Sequence, residues 1–433
     1  MLIIRAKYVI AKKFELIEDG AVVVDGKWIR AVGKADELTK KFDGQILDLG
    51  NSMLMPGFVN AHTHAAMVLM RGLADDLPLM EWLQNHIWPL EREFVNEEFI
   101  QIGVELALAE MIRSGTTSFA DMYFYQDIAA RVIKKAGLRA VLGEAIIDFP
   151  TPRFDKPQDM LSFAREFIQE CIGDELIHPS VAPHAPYSCS RELLEKTKAL
   201  ADEFGTSILI HVAETKDEVE QLLERYGKTP VRYLNDIGFL NERVICAHSV
   251  WLDDEEIEIM VERKAGAVHQ PSSNLKLASG IARVDRYIKA GMRVGLGTDG
   301  AASNNDLDMV AEMHIAALLQ KVKEMDPTAL PAWDAFHMAT QGGADVIGLG
   351  DKIGTLEPGK YADMIAFDLD APHLTPIYNP ISHLVYAAKS SDIHFVMVGG
   401  KVLMEDKELK TIDEERAMAR AREFSAKFNK GIA

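Results

Sequence analysis

The sequence predicts an α/β fold: a (β/α)8 barrel inserted into a small β-sandwich that both chain ends build. Three observations carry that expectation. Apolar runs alternate with helical patterns from Gly57 onward, eight such runs can be counted, and the two chain ends look alike in returning to short strands with tight turns. A chain of 433 residues has room for a barrel of about 250 residues beside a smaller domain.

Residues 1 to about 57 carry short alternating runs, such as 21–29, broken at Asp25-Gly26 and at Gly50-Asn51 by the turn residues that hairpins use. The candidate barrel strands follow at about 57–62, 116–121, 138–146, 179–184, 206–211, 243–248, 266–269 and 293–299. Each is a short apolar run of the kind a strand buried on both faces requires. Helical spacing fills the gaps, for example over 97–114 and 253–264. After Gly354-Thr355-Leu356-Glu357-Pro358-Gly359 the strand pattern returns at 362–368 and 395–402, and a last helix is expected from about 413 to 428. The expected domains are therefore 1–57 with 358–433 as the sandwich and 58–357 as the barrel. Neither an internal repeat nor a low-complexity tract interrupts this order.

The hydrophobic fraction of 48% is ordinary for a globular chain, and no apolar stretch approaches the roughly 20 residues that cross a bilayer. No membrane partner is expected. A net charge of −19 repels phosphate backbones, so nucleic acid is excluded as a partner and a small neutral or cationic substrate fits better. The N-terminus lacks the ordered regions of a secretory signal. Cys171, Cys189 and Cys246 are scattered and form no C-x-x-C pair, which suits a reducing compartment. The cytoplasm is the expected location. A homo-oligomer is compatible with the sequence, as such assemblies are common among enzymes.

Five apolar runs end on a histidine or an acid: His62 with His64, His184, His211, His248 and Asp299. Polar groups at the ends of parallel strands gather at one end of one sheet, which predicts a single active face. His62 and His64, at i and i+2, can point to one side. An isolated H-x-H is a weak signal; the company of His211 and Asp299 strengthens it. Imidazoles with one carboxylate suit one divalent transition metal ion per chain, zinc above all, and His62, His64, His211 and Asp299 are the expected ligands. Such an ion lowers the pKa of bound water to about 7, and Asp299 is placed to accept a proton. Glu214, three residues past His211, either carries protons in the cavity or is an acid in a helix first turn. For His248 the choices are a fifth ligand and a second proton carrier, and four ligands elsewhere favour the carrier. His184, between Pro183 and Pro186, is expected to touch substrate, with a structural histidine as the competing reading. His178, His314, His337, His373 and His394 are placed in helices or turns and set aside. The acidic runs 253–256 and 413–415 read as helix first turns, and 297–300 lacks the spacing of a phosphate loop.

On these residues the chain resembles the amidohydrolase superfamily over essentially its whole length, and within it the deaminases of 5′-methylthioadenosine and S-adenosylhomocysteine. The motifs that carry the resemblance are Pro56-Gly57-Phe58-Val59-Asn60-Ala61-His62-Thr63-His64, Asp75-Asp76-Leu77-Pro78-Leu79-Met80-Glu81-Trp82-Leu83, Pro183-His184-Ala185-Pro186-Tyr187-Ser188, His211-Val212-Ala213-Glu214-Thr215 and Gly297-Thr298-Asp299-Gly300. The resemblance implies one metal ion on His62, His64, His211 and Asp299. It implies that Glu214 protonates a purine ring nitrogen while hydroxide attacks the adenine carbon bearing the amine, with His248 and Asp299 handling the hydroxide proton. Ammonia leaves and an inosine-type product remains. Glu91 looks like the residue that binds the ribose hydroxyls; Trp88, in the same segment, and His184 are further expected substrate contacts.

One departure bears on substrate. Relatives that take S-adenosylhomocysteine use arginines after the third strand, and here Glu144 stands where one is expected, with Arg153 as a loose match to the second. An acid there would repel a carboxylate tail, which ranks nucleosides with a small or apolar 5′ group first. His269-Gln270-Pro271 also departs, carrying glutamine where asparagine is commoner. Competing readings are a deaminase or hydrolase of a free nucleobase or s-triazine, a two-metal cyclic-amide hydrolase, and a non-catalytic scaffold. The first lacks a use for Glu91, the second lacks its bridging lysine, and the third would be expected to have lost ligands.

Overall fold

In the computed structural model, which describes residues 1–431, all eight expected barrel strands are present in order. They are labelled β1 (Phe58–Thr63), β2 (Thr116–Tyr123), β3 (Arg139–Ile146), β4 (Ile177–Pro183), β5 (Ser207–Val212), β6 (Val244–His248), β7 (Gly266–His269) and β8 (Arg293–Leu296). Neighbours pair in parallel from β1 to β8. Every residue of β1, β2 and β3 is buried, which is why these strands read as continuous apolar runs. One reading of the histidines changes: His178 lies in β4 and His394 in the strand Ile393–Val398, not in turns or helices.

The strand β8 stops at Leu296, short of the expected end at 299, because the chain there turns toward β1. Asp299 adopts a φ of 64° and its amide donates to the carbonyl of His62 at 3.0 Å. Asn60 seals the same seam: its amide Nδ2 donates to Thr298 Oγ1 at 2.7 Å and its Oδ1 accepts from the Thr298 amide at 3.0 Å. Gly297 is required at this seam, since a Cβ would lie 2.8 Å from the His62 nitrogen.

Both chain ends form one nine-stranded mixed sheet. It joins where Ser52–Pro56 pairs antiparallel with Met364–Asp368. Its N-terminal and C-terminal halves close on a shared core in which Ile4, Val22 and Val24 cluster with Phe395 and Met397. The hairpin between Glu15–Asp25 and Trp28–Lys34 turns at Gly26, whose φ is 58°. Both acidic runs open helices, as expected. Asp253 and Glu256 form a reciprocal capping box on Asp254–Arg263, and Asp413 accepts from the Arg416 amide at the start of Glu414–Gly431. That last helix packs Phe424 and Phe428 against Phe99 of the helix Glu97–Arg113. Among the described residues no helix is long and apolar enough to cross a membrane.

The barrel is tied to the sandwich by a buried ion pair. Arg139, at the start of β3, donates from two guanidinium nitrogens to Asp363 at 3.1 and 3.3 Å, with both side chains at 2% exposure or less. Asp363 also accepts from the Gly399 amide, and the Arg139 guanidinium lies 4.2 Å over the Tyr361 ring. Breaking one side of such a pair leaves a buried charge without its partner. Asp363→Ala is therefore expected to destabilise the fold by about 3–5 kcal/mol in denaturant unfolding, whereas Arg139→Met with Asp363→Leu recovers most of that loss.

Candidate active site

The C-terminal ends of the barrel strands bring the polar residues together. His62 is in β1 and His64 lies one residue past it, and the turn between them is fixed by Asp121 of β2. The Asp121 carboxylate accepts from Thr63 Oγ1 at 2.8 Å, the Ala65 amide at 2.6 Å and Gln126 Nε2 at 2.7 Å. His64 Nδ1 donates to the Met122 carbonyl at 2.6 Å, and His211 Nδ1 to the His184 carbonyl at 2.7 Å. A carbonyl can only accept, so each ring carries a proton on Nδ1 and turns Nε2 inward. Asp299 is held from behind: Oδ2 accepts from Ser273 Oγ and Ser303 Oγ at 2.7 and 3.0 Å, and Oδ1 from the Gly300 amide at 2.9 Å.

The inward nitrogens converge. Nε2 of His64 and His211 are 3.3 Å apart, and Asp299 Oδ1 is 3.5 Å from His62 Nε2 and 3.2 Å from His64 Nε2. His62 Nε2 is buried without any hydrogen-bond partner. Burial holds His62 down to about 4, a neutral imidazole at neutral pH. Burial also acts on His64, yet the Asp299 carboxylate outweighs it and raises that ring to about 9. Facing ring nitrogens, an orphaned nitrogen and a carboxylate that draws positive charge are the donor set of a cation site. These residues fit a divalent metal, which would replace the proton on His64.

Above the cluster lies a cavity of about 350 Å³, bordered by Trp88, Glu91, His184, Glu214 and His248, with His64, His211 and Asp299 at its floor. His62 sits beneath that floor. Glu214 Oε1 accepts from Ser279 Oγ at 3.2 Å, and its Oε2 lies 3.6 Å from His248 Nε2. Burial, with the Asp299 charge added, pushes Glu214 up to about 8, so it holds a proton at neutral pH. His248 has a φ of 68°; its Nδ1 lies 2.9 Å from Asn274 Nδ2, which assigns the ring proton to the cavity-facing Nε2. Burial lowers His248 to about 4 and His184 to about 3. His184 Nδ1 pairs with Ser188 Oγ at 2.7 Å. Also on the lining, Glu91 accepts from Tyr123 Oη at 2.7 Å, and burial raises it to about 7. Trp88 packs edge-on against Phe149 with ring centres 5.2 Å apart.

Two expected substrate determinants are elsewhere. Glu144 sits on the opposite face of β3 from the cavity-lining Ala145, and its carboxylate accepts from the Tyr125 and Gln126 amides at 3.1 and 2.9 Å. It clamps the start of the helix Gln126–Ala136 and faces no substrate. Arg153 also lies outside the cavity lining. Its guanidinium is paired with Asp127 at 2.5 Å and stacked 4.0 Å from the Phe163 ring centre. Sequence reasoning missed the supports. Glu218 accepts from the Ala213 and Glu214 amides at 3.0 and 2.8 Å and so aims Glu214; the pattern Thr215-x-x-Glu218 was its one signal. Gln270, noted only as a departure, accepts from the His248 amide at 2.9 Å.

A cation cluster at the C-terminal mouth of an α/β barrel, with a buried protonated acid beside it, defines a metal-dependent hydrolase. The Amidohydrolase family model matches residues 53–403. A 5-methylthioadenosine/S-adenosylhomocysteine deaminase of Thermodesulfovibrio yellowstonii is 50% identical, covering 97% of each chain. A 5′-deoxyadenosine deaminase of Methanothermobacter thermautotrophicus is 46% identical over 95% of each. Among solved structures, an adenosine deaminase from Xanthomonas campestris with bound zinc superposes with a TM-score of 0.97 at 40% identity, covering 99% of this chain and 98% of that one. The chain belongs to the amidohydrolase family, in the branch of the 5-methylthioadenosine/S-adenosylhomocysteine deaminases.

His211→Ala tests the cluster directly. The variant is expected to keep its circular dichroism spectrum while its affinity for divalent metal, measured by titration and elemental analysis, falls more than about 100-fold, beyond the loss caused by an outer support. Unchanged metal content would contradict the ligand set.

Proposed function

We propose that this chain is a metal-dependent hydrolytic deaminase of adenosine-type nucleosides, namely 5′-methylthioadenosine, S-adenosylhomocysteine, 5′-deoxyadenosine or adenosine. The products are the inosine-type nucleoside and ammonia. The observation that carries this reading is the pair of buried acids on the cavity lining: Glu214, which holds a proton, and Glu91, with acceptor capacity to spare. The named relatives support the same reaction class.

The ligands in this reading are His62, His64, His211 and Asp299, with zinc at one ion per chain. Such an ion, when bound, supplies an activated water at neutral pH. Glu214 gives its proton to a purine ring nitrogen, which makes the carbon bearing the amine electrophilic. Asp299 takes the proton that the attacking water sheds, and the His248 Nε2–H holds the incoming oxygen in place. That proton passes to the amine, which leaves as ammonia; the ring retains the oxygen as a carbonyl, and the remaining hydroxyl proton returns to Glu214 and restores its acid form. Glu91 binds the ribose hydroxyls, while Trp88 and His184 border the nucleoside. We place the protein in the cytoplasm, a reading supported by three buried free thiols.

An ammonia-release screen over adenosine, 5′-deoxyadenosine, 5′-methylthioadenosine, S-adenosylhomocysteine, adenine, guanine and cytosine tests the proposal; activity confined to free bases would sink it. Because the acid form of Glu214 is required, kcat is expected to fall as pH rises through about 8 or below, since positive charge at the cluster favours the carboxylate. Glu214→Gln should fold, bind metal and lose about 100-fold or more in kcat. Glu91→Ala should weaken nucleosides far more than free adenine, read as kcat/KM for each.

A further inference from the structure

Neither residue expected to govern a 5′ amino-acid tail reaches the cavity: Glu144 faces the helix Gln126–Ala136, and Arg153 is paired with Asp127. The cavity nevertheless carries one arginine. Arg92 is the sole lysine or arginine among the residues that border it, and it is exposed, whereas Glu91 beside it is buried. The arginines nearest to it in sequence are both engaged, Arg71 with Glu110 and Arg113 with Glu414, while Arg92 has no carboxylate partner among the described residues. Its guanidinium is a free charge at the mouth.

We propose that Arg92 is the specificity residue that receives the carboxylate of an adenosine-type substrate bearing an amino-acid tail, an inference that rests on the deaminase reading above. The two buried acids of the lining set the orientation. With the purine at Glu214 and the ribose at Glu91, the 5′ substituent is directed outward, past one position on the helix Trp88–Phe94 to Arg92. The walls of the cavity include the apolar Ile147, Phe149, Pro150 and Pro152. Those walls serve a methylthio or methyl group without help. A carboxylate gains nothing from them, so it requires a cation, and a guanidinium matches it with two parallel N–H donors.

The test is steady-state ammonia release by wild type, Arg92→Ala and Arg92→Lys on S-adenosylhomocysteine, its decarboxylated analogue and 5′-methylthioadenosine. Arg92→Ala is expected to lower kcat/KM for S-adenosylhomocysteine about tenfold, mainly through KM, and to change the other two substrates less than about threefold. Arg92→Lys should restore part of the loss, since it keeps the charge and not the fork. Wild-type KM for S-adenosylhomocysteine should rise with salt, and that rise should vanish in Arg92→Ala. Equal losses on all three substrates, no loss on any, or a wild type that deaminates 5′-methylthioadenosine and ignores S-adenosylhomocysteine each overturns the assignment. A wild type inactive on every nucleoside overturns the deaminase reading itself, a distinct result.

Discussion

Three imidazoles and a carboxylate, desolvated together, are stable only around positive charge, and the mouth of the barrel is arranged to hold them there. Three of the four donors are fastened from behind by a neighbouring strand end or turn: His64 by Met122 of β2, His211 by the His184 carbonyl after β4, Asp299 by Ser273, Ser303 and Gly300. The orientation of these side chains is thus a product of strand pairing. The hydrogen bond from the Asp299 amide to His62 joins β8 to β1 and also sets two donors side by side. Barrel closure and the geometry of this cluster are one structural event.

That coupling explains what could be read in the chain. Strands buried on both faces leave unbroken apolar runs, and a catalytic face made of strand ends places His62, His211, His248 and Asp299 where such runs stop. The supports leave no such trace. Ser273 and Asn274 act from the short helix Pro271–Lys276, and Gln270 from the residue before it, each through one or two hydrogen bonds. Serine, asparagine and glutamine occur at any helix start, so nothing in local pattern marks these three. The pairing of Ser52–Pro56 with Met364–Asp368 is equally silent, since register across three hundred residues has no local periodicity.

Glu144 shows the same limit at the scale of one residue. Along β3 the side chains alternate, so Ala145 borders the cavity and Glu144 turns to the helix layer. Alignment of a motif to within one position is ample for locating a strand and useless for choosing its face. Arg153 fails differently, because a loop arginine stacked on Tyr125 and Phe163 beside Asp127 has its charge already matched. The substrate ranking drawn from these two residues therefore passes to the groups that do border the cavity.

Five buried glutamates show why titration alone would not have found the site. Burial raises Glu91 and Glu144 to about 7, and Glu214, Glu218 and Glu312 to about 8. Perturbation nominates all five equally. Their partners separate them. Glu144 and Glu218 each accept two backbone amides, and Glu312 accepts from the Ser272 amide and Asn304 Nδ2, so all three are fastened to the scaffold. Glu91 accepts from a single phenol and Glu214 from a single hydroxyl, and both border the cavity. A carboxyl group offers about four lone-pair sites. What distinguishes the acids that can meet a substrate is acceptor capacity left unspent and aimed at open space, a property of packing that neither composition nor pKa encodes.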